Sequence, residues 1–139
     1  MRYLHTMIRV GDLDRSVDFY TWVLGFTEVR RSDYPDGKFT LAFLRAPGDP
    51  KDGPMLELTY NWGVDRYELG GGYGHVAFQV DSLDAIGQRL EATGRRFSWG
   101  PGKTPDGRTA MAFIKDPDGY KIELLQYALG ELATAEPAP

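Results

Sequence analysis

Apolar and polar residues alternate over residues 3–10. Leu4, Thr6, Ile8 and Val10 fall on one side of an extended chain, and His5, Met7 and Arg9 on the other. This predicts a half-buried strand. The period then lengthens: Leu13, Val17, Tyr20 and Leu24 recur at i, i+4, i+7 and i+11, the stripe of an amphipathic helix. Asp12 or Asp14 is placed to cap that helix and Gly25 to stop it. Strands are predicted over 26–34 and 39–45, joined by the turn Pro35-Asp36-Gly37-Lys38, and a Pro/Gly-rich loop leads to a strand over 55–61.

The same order then repeats. A strand is predicted over 74–80, and Ser82 can cap a helix carrying Leu83, Ile86 and Leu90, which Gly94 ends. Residues 95–99 and 108–115 read as strands, Asp116-Pro117-Asp118-Gly119 as a turn, and 120–127 as the last strand. Each half is strand, helix, strand, strand, strand. The expectation is an α+β fold in which two βαβββ modules, 1–62 and 73–129, form a curved mixed sheet around a cavity, together one domain over 1–129. A linker over 63–72, with a helical turn at 64–69, separates the modules, and the Ala/Glu/Pro-rich tail over 130–139 is expected to be disordered.

Composition narrows the function. With 139 residues, 42% of them hydrophobic, the chain can bury a sizeable core. A net charge of −4 gives no basic surface for nucleic acid. No apolar run approaches the roughly 20 residues that span a bilayer, and no signal pattern opens the chain, so neither membrane nor export is expected. The absence of cysteine removes disulfides, thiol nucleophiles and zinc–thiolate sites, and a cytoplasmic location is expected.

Candidate chemistry centres on the only two histidines. His5 and His75 each open a predicted strand, and each half carries one glutamate in an apolar stretch: Glu57 in Met-Leu-Glu-Leu-Thr-Tyr and Glu123 in Tyr-Lys-Ile-Glu-Leu-Leu. The intervals nearly match, 52 residues from His5 to Glu57 and 48 from His75 to Glu123. A single histidine at a strand start is ordinarily a core or surface residue. A buried carboxylate, however, needs a cationic partner, and the repeated pair reads as one metal half-site written twice. Strand parity places Arg9 on the face of His5 and Asn61 on the face of Glu57, as polar groups for a ligand. Trp62 and Trp99 are candidates to wall a pocket. Gly70-Gly71-Gly72-Tyr73-Gly74 precedes a strand rather than a helix, which excludes a phosphate loop, and the Asp-Pro-Asp-Gly segment lacks EF-hand spacing.

Several segments together carry a resemblance: Leu4-His5-Thr6-Met7-Ile8-Arg9-Val10, Ser16-Val17-Asp18-Phe19-Tyr20, Leu56-Glu57-Leu58-Thr59-Tyr60-Asn61-Trp62-Gly63, Tyr73-Gly74-His75-Val76-Ala77 and Asp116-Pro117-Asp118-Gly119-Tyr120-Lys121-Ile122-Glu123. In these the chain resembles the glyoxalase I (lactoylglutathione lyase) family of the vicinal-oxygen-chelate superfamily, with its glyoxalase/bleomycin-resistance-like fold. The resemblance implies a homodimer with sites at the subunit interface, His5 and Glu57 from one subunit and His75 and Glu123 from the other. It implies one divalent metal per site, Ni2+ or Co2+ in preference to Zn2+, and a substrate formed from glutathione and methylglyoxal, a hemithioacetal isomerised through an enediolate to S-lactoylglutathione. Glu123 is then the base, with Glu57 its near-symmetric counterpart. Arg9 and Asn61, with His75 beside the metal, are the substrate-binding residues, and Lys103 and Arg108 are candidates for the glycyl carboxylate. Antibiotic-binding proteins and ring-cleaving oxygenases share this fold. Four candidate ligands are superfluous to the first, and a second glutamate favours isomerisation over the oxygenases' two histidines and one carboxylate.

Overall fold

The structure, a computed structural model, describes residues 1–127, so the tail expected over 130–139 lies outside the described residues. The first alternating segment forms β1 (His5–Arg9), which buries Ile8 and leaves His5 and Arg9 exposed. Asp12 caps α1 (Leu13–Asp18), its carboxylate accepting the Arg15 backbone N–H at 3.0 Å. The helix then widens into a π-helical turn over Phe19–Val23 instead of continuing regularly. Thr21 sits in this turn and donates its hydroxyl to the Val17 carbonyl at 2.8 Å, competing for an acceptor four residues back. The wider turn buries Phe19, Tyr20, Val23 and Leu24 together. Gly25, at φ +77°, ends it.

β2 (Thr27–Tyr34), β3 (Phe39–Arg45) and β4 (Met55–Asn61) complete a four-stranded sheet of order β1-β4-β3-β2. β1 runs parallel to β4, and the other neighbours are antiparallel. α1 lies against β3 and β4. Leu13, Val17 and Tyr20 from the helical segment and Ala42, Leu44, Leu56 and Leu58 from the strands are all buried.

The second sheet repeats this plan with β5 (Val76–Gln79), α2 (Leu83–Ala92), β6 (Trp99–Lys103), β7 (Ala110–Lys115) and β8 (Lys121–Gln126). Its order is β5-β8-β7-β6, with β5 parallel to β8. Ser82 caps α2 by accepting the Ala85 N–H at 3.1 Å, and Leu83, Ile86 and Leu90 are buried as their spacing predicts. Removing this cap in Ser82→Ala will cost about 1 kcal/mol, seen as a lower denaturant midpoint with unchanged slope.

The fold is therefore α+β, built of two four-stranded mixed sheets, each within one compact unit; the units divide between Glu68 and Leu69. Three local expectations need correction. The strand predicted over 95–99 lies instead at Trp99–Lys103. Gly100-Pro101-Gly102 reads as a strand breaker, but β6 is an edge strand with an irregular register between Trp99 and Gly102, where proline is tolerated. No helical turn forms over 64–69; this stretch lies against Gly11, whose added Cβ would fall 2.0 Å from the Asp65 carbonyl oxygen. His75 immediately precedes β5 rather than lying inside a strand.

Candidate metal centre

In the first unit the parallel pairing of β1 and β4 sets Met7 opposite Glu57. His5, two residues earlier, projects from the same face of β1 as Met7. Its Nε2 lies 3.7 Å from Glu57 Oε1. The imidazole also meets Phe43 edge-on, with centroids 5.4 Å apart and planes at 77°. Phe43 is the cross-strand partner of Glu57 on β3, and the Arg30 guanidinium lies over its ring at 4.7 Å. The Thr59 hydroxyl stands 3.5 Å from Glu57 Oε2.

The second unit builds the same object. Ala77 pairs with Glu123, and His75, again two residues earlier, places Nε2 3.8 Å from Glu123 Oε2. Phe113, the cross-strand partner of Glu123, meets the His75 ring at 5.6 Å and 73°, and Lys121 Nζ lies 4.4 Å from the Phe113 centroid. The sequence intervals differ by four residues, yet the ladder offset is identical: each histidine stands two positions before the residue that faces its glutamate. The difference in length is absorbed in the helices and loops between.

These residues fit a divalent ion. Separations of 3.7 and 3.8 Å are too long for a hydrogen bond. Two ligands bound at about 2.1 Å to one ion stand roughly 3–3.5 Å apart, so a small side-chain adjustment brings either pair onto a shared ion. The Glu123 side chain is only 5% exposed. A carboxylate this buried needs a cation to offset its lost hydration, and imidazole plus carboxylate suits first-row divalent metals. Among the described residues no three His, Asp or Glu side chains form a ready ion site. The candidate ligands come as two pairs, one in each unit.

A cavity of about 330 Å³ adjoins the second pair, with Trp99, Met111, Phe113, Lys103 and Lys121 in its wall beside His75 and Glu123. Tyr73 donates its hydroxyl to the Lys121 carbonyl at 3.3 Å, and burial, reinforced by Asp116, pushes this phenol above its ordinary pKa. The Asp116 carboxylate accepts the N–H groups of Asp118 and Tyr120 at 3.0 and 2.9 Å, so the Asp-Pro-Asp-Gly segment is a locked turn that sets the entry to β8.

Arg9 and Asn61 sit four residues along their strands from His5 and Glu57, about 13 Å at the rise of an extended chain. Arg9 pairs with Thr59, so both groups lie toward the same end of the sheet. The Asn61 amide donates to the Tyr67 hydroxyl at 3.1 Å. Of the two tryptophans expected to wall a pocket, Trp99 lines the cavity, whereas Trp62 donates its indole N–H to the Thr40 hydroxyl at 2.9 Å. Arg108 is exposed, in a turn where its backbone N–H bonds the Asp106 carboxylate.

The family model of the Glyoxalase/Bleomycin resistance protein/Dioxygenase superfamily matches residues 2–124. The chain belongs to this superfamily. It is 48% identical over 135 residues to a lactoylglutathione lyase of Neisseria meningitidis serogroup A, covering 97% of each chain. Glyoxalase I from Zea mays superposes with a TM-score of 0.84 at 42% identity, covering 91% of this chain; the present chain spans 45% of the maize one. Glyoxalase I of Leishmania major, described as trypanothione-dependent, gives a TM-score of 0.78 at 44% identity and covers 91% of this chain and 86% of that one.

For a glyoxalase-superfamily chain, the residues beyond reach of sequence reasoning are Phe43, Phe113 and Lys121. Phe43 precedes Glu57 by 14 residues and Phe113 precedes Glu123 by 10, so no common spacing marks them. They emerge only from the strand register.

Proposed function

We propose that the chain isomerises the hemithioacetal of glutathione and methylglyoxal to S-lactoylglutathione, using a divalent ion held by His5 and Glu57 of one protomer and by His75 and Glu123 of its partner in a homodimer. The observation that carries this reading is the His/Glu pair built twice on one ladder offset, at 3.7 and 3.8 Å. It is supported by the 48% identity to the Neisseria chain named lactoylglutathione lyase. Each unit supplies two ligands, and the twofold symmetry of a dimer joins unlike pairs into four-ligand centres.

The substrate is a tripeptide conjugate. Arg9 is placed to clamp a terminal carboxylate: its backbone stands about 13 Å from that of His5, and an extended tripeptide of roughly 10–11 Å together with the long arginine side chain covers that span. Asn61, its N–H held by Tyr67, presents the amide oxygen as an acceptor. Lys103, in the cavity wall, suits the glycyl carboxylate. The Glu123 carboxylate takes the proton from the carbon bearing sulfur, leaving an enediolate, and delivers it to the neighbouring carbon; the hydroxyl proton passes between the two oxygens, so composition is unchanged. Glu123 is favoured over Glu57 because it is the more buried, 5% against 13% of the side chain exposed, and adjoins the cavity, while Glu57 has the Thr59 hydroxyl beside it. The divalent ion, when bound, supplies Lewis-acid stabilisation of the negative charge developing on the substrate oxygens.

Nickel or cobalt is the proposed ion rather than zinc, and the cytoplasm the proposed location. No helix among the described residues is long and apolar enough to cross a membrane. Chelator-stripped protein resupplied in parallel with nickel, cobalt and zinc tests the reading through turnover of the hemithioacetal. Activity will return with nickel or cobalt and hardly with zinc. Equal restoration by zinc would overturn the metal preference, and folded protein inactive with every metal would overturn the activity.

A further inference from the structure

We infer that Phe43 and Phe113 are positioning residues that hold the imidazoles of His5 and His75 in the orientation needed to share an ion with Glu57 and Glu123. The inference rests on the ligand assignment above but assigns a new role to side chains outside the ligand set. The imidazoles are 40% and 38% exposed, so burial alone does not fix their planes. Among the described residues neither ring has a hydrogen-bonding partner, whereas metal-bound histidines ordinarily have the second ring nitrogen anchored by one. What each ring does have is an edge-on phenylalanine, at nearly the same distance and angle in both units.

The register explains why one ring suffices. Phe43 is the direct cross-strand neighbour of Glu57, and Phe113 of Glu123. Each phenyl ring therefore stands beside the carboxylate and against the imidazole, setting one ligand relative to the other. The phenyl rings are themselves pinned from another side. Arg30 lies over Phe43 at 4.7 Å; Lys121 lies over Phe113 at 4.4 Å, and Trp99 meets that ring at 6.2 Å. A cation over an aromatic face contributes about 0.5–1 kcal/mol at exposed sites, enough to bias a ring's orientation. Phe43 is buried and Phe113 only partly so.

The test measures nickel affinity of the full-length apoprotein by chelator competition, together with the visible spectrum of the cobalt form. Phe113→Leu and Phe43→Leu will each weaken affinity about 10–100-fold and alter the cobalt bands, while Phe113→Tyr, which keeps the ring, will restore both. Should Phe43→Leu fail to fold, the partly exposed Phe113 carries the test alone. His75→Ala serves as the reference for the ligand assignment. If His75→Ala loses the metal but folded Phe113→Leu binds it as wild type does, the positioning role is overturned and the ligand set stands. If neither variant loses metal, the ligand assignment itself falls.

Discussion

Replacing Glu123 with glutamine will lower kcat by about 100- to 10,000-fold, the range contributed by a general base, with the protein folded and its ion still bound. The change keeps the side chain's shape and one oxygen donor, and removes only the capacity to carry a proton. It also exchanges a buried charge for a neutral amide between Ile122 and Leu124, both fully buried, so stability will not suffer from packing. Glu57→Gln will be the milder lesion. Glu57 is the less buried of the two and has the Thr59 hydroxyl beside it, and its proposed part is to hold the ion. Steady-state kinetics with metal content measured on the same samples decides the matter. Wild-type kcat in metal-loaded Glu123→Gln would remove this residue as the base, and a larger loss from Glu57→Gln would exchange the two roles.

The second large effect concerns a residue remote from any proton transfer. Gly11→Ala will destabilise the protein by about 1–3 kcal/mol, the usual cost of overpacking. The new methyl carbon would stand 2.0 Å from the Asp65 carbonyl oxygen and 2.6 Å from its carbon. Both are main-chain atoms, so no rotamer change relieves the clash and the segment after β4 must shift. Tyr67 lies in that segment and accepts the Asn61 amide N–H, so the shift also releases a proposed substrate contact. Gly71→Ala is the control, since a Cβ there meets nothing within 4 Å. A Gly11→Ala midpoint equal to that of Gly71→Ala in denaturant titration would show that the segment is not seated on Gly11.

The strands β2 and β3 form within one residue of the bounds predicted from alternation and turn chemistry, because the hairpin closed by Pro35-Asp36-Gly37-Lys38 is a local object. Both helices begin at predicted caps, at Asp12, one of the two candidates for the first, and at Ser82, because capping is equally local. Where a residue's fate depends on distant neighbours, the sequence is silent. Nothing local distinguishes 64–69 from a helical turn until Gly11 is seen to need that space. The π-helical turn is likewise not announced by the period of Leu13, Val17, Tyr20 and Leu24, which reads as one regular helix. The two His/Glu pairs, which the structure brings to 3.7 and 3.8 Å, are legible because histidine is scarce and each glutamate interrupts an apolar run. Their phenylalanine supports are not, because the register linking β3 to β4, or β7 to β8, depends on loops whose lengths differ between the halves.

On the proposed ligand assignment, the parallel pairing of β1 with β4, and of β5 with β8, has a consequence for how an ion is acquired. Each His/Glu pair joins the first and last strands of its unit, and the histidine precedes or begins the outermost one. About fifty residues must find their places before the two ligands meet, so a partly folded unit has no chelating pair, and loop-closure entropy opposes early capture of the ion. An ion held by the proposed ligands would be a clasp on the end strand, closing a loop as a disulfide would in a chain that has no cysteine. Loading of that proposed centre would be coupled to completion of the fold, and metal withdrawal would first loosen the strands that carry the histidines.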